Sequence, residues 1–172
     1  MSHRERLNPE FFHRDALDVA PALVGKLLCR LQSDGSVKRL RITETEAYRG
    51  EEDTACHAHK GRTKRTEVLY AASGTLYVYL CYGIHWLMNV ITGEKEQPQG
   101  VLIRACEGAE GPGRLTKALG ITGDYTWQTI EQCSDLWFED DGCRPTIKTA
   151  PRVGIGYASP EDQALPWRFI LQ

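Results

Sequence analysis

The chain has 172 residues, of which 41% are hydrophobic, and 21 Lys and Arg stand against 23 Asp and Glu for a net charge of −2. That length and balance suit one globular domain with an ordinary core and argue against disorder. They also argue against a generally basic nucleic-acid binder, so any basic face has to be local, as in the dense segment Lys60, Arg62, Lys64 and Arg65.

No apolar run approaches the roughly 20 residues of a membrane helix, and the charged start MSHRERLNPEFF lacks the apolar stretch of a secretory signal. A cytosolic protein is expected. The six cysteines are scattered without a CxxC pair, so core thiols are expected rather than a zinc ribbon or disulfides.

Asp15 is placed to cap a helix beginning ALDVAP, with Asp18 favouring its positive end. Pro21 is expected to split that segment, leaving 22–28 as a second short helix or a lead into a strand. Asp34-Gly35 signals a turn into a strand over 40–48. Residues 50–65 lack apolar periodicity and read as a long loop, which in a compact domain is usually functional. The strongest strand signals are 75–81 (TLYVYLC) and 85–91, interrupted at Tyr82-Gly83, and 100–106 extends them into an antiparallel meander. Gly111-Pro112-Gly113 opens a short helix over 114–119, ended by Gly120. Residues 124–145 read as polar and irregular, with an acidic run at 139–141, and 152–157 and 167–171 read as closing strands. There is no internal repeat and no linker, so a single domain over 1–172 is expected.

Alternation along 40–48 puts Leu40, Ile42, Glu44, Glu46 and Tyr48 on one face. That face starts apolar and then presents two carboxylates, which need partners or a task. Structural ion pairs with nearby arginines are one reading, and a pair of acids beside a glycosidic bond is the other. His57 and His59, with Asp53 nearby, form an H-x-H pattern without a clear further ligand, so polar loop residues are expected rather than a metal site. Tyr77 and Tyr79 share one strand face and Val78 and Leu80 the other. Tyr82, beside Gly83 at a hairpin tip, has the position of a DNA-kinking wedge. The basic run at 60–65 is either a solvated loop or a grip on phosphates.

Taken in order, ITETEAYRGEEDTACHAHKGRTKR, GTLYVYLCYGIHWLMNV, GVLIRACE, GPGRLTKALGI, APRVGIG and PWRFIL resemble the alkyladenine (3-methyladenine) DNA glycosylase family. The resemblance implies an α+β fold, a single mixed domain around a curved antiparallel β-sheet with a few short flanking helices and no metal or cofactor. It implies Glu46 as the general base that activates water and Arg104 as a cation beside the base and its water. Tyr48, His57 and Tyr79 would line the pocket for an extruded base, and Asn89 would disfavour the amino group of guanine. Tyr82 would fill the gap in the duplex, flanked by Ile84 and His85, positions that vary in the family; on the reading of the basic run as a phosphate grip, Arg62, Lys64 and Arg65 would contact the DNA as well. The implied activity is monofunctional: an alkylated or deaminated purine is flipped from double-stranded DNA by a monomer and its glycosidic bond hydrolysed, leaving an abasic site. Two other readings stay open: a hydrolase of free nucleosides using Glu44 and Glu46, and a non-catalytic binder of damaged DNA.

Overall fold

In the computed structural model, which describes residues 3–172, antiparallel strands form one sheet in the order β1-β7-β2-β3-β6-β5-β4. β1 is Glu5–Arg6, β2 Leu27–Leu31, β3 Val37–Arg49, β4 Leu76–Cys81, β5 His85–Ile91, β6 Gln99–Cys106, β7 Leu136–Asp140, β8 Ile147–Ala150 and β9 Arg168–Leu171. β9 pairs with the second half of β3, and β8 pairs with β9. Short helices α1 (Pro9–Phe12), α2 (Ala16–Leu23), α3 (Pro112–Leu119) and α4 (Pro160–Ala164) flank the sheet. The architecture is α+β, as the resemblance implied, and the meander β4–β5–β6 lies where its apolar alternation puts it.

Asp15 caps α2 by accepting from Leu17 N–H at 2.9 Å. Pro21 does not split the helix as expected. It lies in the last turn, which ends at Leu23, so little of the hydrogen-bond ladder remains to be lost. Gly25 then turns the chain at φ +93°, and a Cβ there would meet Pro145 at 2.7 Å. Residues 27–31 are strand rather than helix.

Three other expectations need correction. The 124–145 region holds β7, a strand between β1 and β2 with Leu136 and Phe138 fully buried. Its acidic end conceals it in the sequence, because Glu139 is paired with Arg39, Asp140 with Arg144 and Lys26, and Asp141 with Arg41. Residues 152–157 are not a strand; the strand precedes them, as β8, and this stretch is irregular chain.

The face proposed for 40–48 is also divided. The pairing of β3 with β6 shifts between Ile42 and Glu44 and again between Glu44 and Thr45. One strand then carries Thr43 unpaired and the other Arg104. A bulge of this kind re-aims side chains. Ile42 and Ala47 both belong to the main core, and Thr45 donates its hydroxyl to Ala20 O at 2.7 Å, whereas Glu46 and Tyr48 point to the opposite face.

The main core lies between α2, α3 and one face of the sheet. A second cluster, with Cys56, Ala58, Val68, Leu69 and Tyr70, covers the other face at Tyr77 and Ile91. The six cysteines are free thiols, and Cys29, Cys56, Cys106 and Cys133 are buried. Among the described residues, no helix is long and apolar enough to cross a membrane.

Candidate active site

Glu46 is completely buried in the middle of β3. Its Oε1 accepts from the Tyr48 hydroxyl at 3.0 Å and from Arg104 Nη1 at 3.3 Å. Its Oε2 accepts from Val153 N–H at 2.7 Å. A carboxylate offers about four acceptor positions, so these three donors leave one on Oε2. The donors balance the cost of burying a charge and keep the group oriented. Burial raises the Tyr48 hydroxyl well above the usual tyrosine range, with Glu46 adding to the effect, so it stays protonated and donates.

Tyr48, which donates to Glu46, also walls a narrow cavity of about 40 Å³ together with His57, Tyr77, Tyr79, Asn89 and Tyr157. The His57 ring meets Tyr79 edge-on at 4.7 Å, and its Nδ1 lies 2.9 Å from the Tyr77 hydroxyl. Burial depresses the His57 pKa to about 4, helped by Arg65 and Lys60, so the ring is neutral at physiological pH. Asn89 donates Nδ2 to Tyr77 O at 3.2 Å, which fixes its amide. The cavity shares Tyr48, His57, Tyr79 and Tyr157 with a cleft of about 880 Å³, which reaches Arg65, Tyr82, His85 and Arg104.

Tyr82 projects from the β4–β5 turn with 91% of its surface exposed and φ 52°. A tyrosine in this left-handed region carries strain, and the turn turns the side chain outward rather than into a core. Ile84 beside it is 72% exposed.

The site thus combines a buried carboxylate held by three donors, an aromatic cavity joined to it through Tyr48, and an exposed tyrosine on the adjoining cleft. The family model described as "Methylpurine-DNA glycosylase (MPG)" matches residues 10–110 and 107–172. The chain belongs to this family. Its members are hydrolases of N-glycosyl bonds that act on DNA. A protein of Psychrobacter cryohalolentis is 45% identical over 181 residues, covering 88% of this chain and 85% of its own. One from Nitrosococcus oceani is 41% identical over 184 residues, covering 96% and 89%, and one from Anaeromyxobacter dehalogenans strain 2CP-C is 42% identical over 181, covering 97% and 84%. Each bears the name "Putative 3-methyladenine DNA glycosylase".

The fold brings Glu46, Tyr48, His57, Tyr79, Asn89 and Arg104 together. Glu44 stands apart, paired with Arg168 at 3.4 Å. His59 Nδ1 lies 2.7 Å from Glu51 O, and Asp53 is taken by Arg152, so the H-x-H pattern has other partners. The basic run divides. Arg62 is bound by Glu67 and Glu96 and stacked over Tyr70, so its charge is already matched and it does not line the cleft. Lys64 is exposed outside the cleft lining, whereas Arg65 lines it, with its guanidinium 5.7 Å from the Tyr79 ring.

Arg152 carries a role that sequence reasoning missed. It binds Asp53 at 2.7 and 2.9 Å, donates to Ala47 O at 3.0 Å, and lies between the Tyr48 and Trp167 rings at 4.9 Å from each. It thereby fixes the next residue, Val153, whose N–H meets Glu46. The only signal in the sequence is an arginine set within the otherwise apolar stretch PRVGI.

Proposed function

We propose that the chain excises alkylated or deaminated purines from double-stranded DNA by flipping the base into the Tyr48–His57–Tyr79 cavity and hydrolysing its glycosidic bond with water activated by Glu46. The observation that carries this reading is the carboxylate itself: fully buried, held by three donors with one acceptor position left on Oε2, and joined through Tyr48 to the aromatic cavity. That position accepts a proton from the attacking water, and the negative charge stabilises the oxocarbenium-like sugar of the transition state. Extrusion costs a few kcal/mol, least for a damaged or mispaired base. Stacking on the tyrosines returns roughly 1–3 kcal/mol per base and favours an electron-poor alkylated ring. The fixed Asn89 amide opposes the exocyclic amino group of guanine.

Among the described residues, none of those lining the inner cavity is a lysine, which supports a monofunctional reaction ending at an abasic site without a Schiff base. One chain supplies all of these groups, which supports action as a monomer, in the compartment that holds the DNA. Duplexes containing 3-methyladenine, 7-methylguanine, hypoxanthine or ethenoadenine should yield alkali-sensitive sites after incubation with the protein. Glu46→Gln keeps the size of the group but cannot take the proton, so base release should fall by about 10²–10⁴-fold while lesion-duplex binding persists. A Glu46→Gln protein that releases base at the wild-type rate would overturn the mechanism.

A further inference from the structure

The cleft that holds Tyr82 has a charge pattern at odds with the chain as a whole. The net charge is −2, yet Arg65, Arg104, Arg114 and Lys117 line this cleft and, among the described residues, no Asp or Glu does. Arg104 is matched by Glu46. Arg114 and Lys117 are exposed, three residues apart on one face of α3, and neither has an ion-pair partner among the described residues.

α3 is fastened to the hairpin that carries the wedge. Gly113 lies so close to His85 that a Cβ would stand 2.9 Å from its ring, and Thr116 donates its hydroxyl to Trp86 O at 2.7 Å. The two basic groups reach the cleft from different elements. Leu115 and Leu119 of α3 pack in the core cluster with Val78 and Met88, whereas Arg65 lies over Tyr79, on the other face. A wedge entering a duplex groove has a phosphate backbone on each side of it.

We infer that α3 is the second arm of the DNA grip: Arg114 and Lys117 hold the phosphates of the strand opposite the flipped base, across the groove from Arg65, with Tyr82 between the two backbones. This rests on the proposed action on duplex DNA. The arm adds charge without reading sequence, so it strengthens binding to damaged and undamaged duplex alike. Its rigid seating against His85 sets the depth at which the wedge meets the stack.

The test is the salt dependence of binding to a duplex and to the single lesion-bearing strand. Arg114→Ala and Lys117→Ala should each lower the slope of log affinity against log salt on duplex by about 1. They should leave the slope on single strand unchanged, because the strand they hold is missing. Lys148→Ala, an exposed lysine on β8 outside the cleft, is the control and should alter neither. Equal losses on duplex and single strand would overturn the assignment to the second strand. Losses no greater than that of Lys148→Ala would remove α3 from the interface. Base release by the unmodified protein is scored separately: duplex binding with these slopes but no release would sink the glycosylase mechanism and leave the α3 arm standing.

Discussion

A histidine that stays neutral suits the proposed handling of alkylated bases that carry positive charge. His57 is half-buried between Tyr77 and Tyr79, close to Arg65 and Lys60, and its pKa is depressed to about 4. A free histidine titrates near 6.5. Between these two values the unfolded chain binds a proton that the folded chain does not. Stability should therefore decline as pH falls from about 6.5 to about 4, and this contribution should level off below that. Urea melts of the wild type and His57→Gln across that range check the sign, since the variant should lose less stability on acidification. Parallel curves would mean that His57 titrates normally in the fold. Roles of this kind were partly legible in the sequence. Alternation along 40–48 drew attention to Glu46 as a carboxylate in need of a partner or a task, but the roles of Glu46, Tyr48 and His57 came from the family resemblance, since the residues alone left ion pairing and a polar loop open. Arg152 was not legible, because its partner Asp53 is remote in sequence and an arginine beside a valine looks like a solvated strand position.

The elements that were legible are those whose alternation survives in the fold. β4 and β5 are aromatic and β-branched on both faces and appear where the pattern puts them. β7 was lost to its own acids, and β3 was read with the wrong phase because strict alternation does not foresee a bulge. Without that bulge Glu46 would share the core face with Ile42. The hairpin tip gives a test at the same scale. Tyr82 touches almost nothing, so Tyr82→Ala should change stability by about 0.5 kcal/mol or less, against about 3–5 kcal/mol for a buried aromatic. Duplex binding and base release should drop, Tyr82→Leu should partly restore them, and single-stranded lesion substrate should be less affected. A fall in Tm, with the ratio of duplex to single-strand activity unchanged, would make Tyr82 a structural residue.

At the scale of the whole molecule, the candidate active site is a junction between distant parts of the chain. Glu46 comes from the centre of the sheet, Arg104 from a bulge on the neighbouring strand, and the Val153 N–H from irregular chain near the C-terminus. What holds that last segment in place is the Arg152–Asp53 pair, supported by Arg168 Nε donating to Pro151 O at 2.8 Å. The Arg152 side chain is completely buried and that of Asp53 nearly so. Removing one partner strands a charge, so Arg152→Met should cost about 3–5 kcal/mol of folding stability. Such a loss alone would not separate structure from function. The double variant Arg152→Met/Asp53→Asn does so, because it leaves no lone buried charge. It should recover part of the stability in denaturant unfolding, while single-turnover base release stays low because nothing seats Val153 against Glu46. If the double variant instead releases base at the wild-type rate, the segment from 151 to 155 finds its position without the pair. The pair would then serve the fold and not the site.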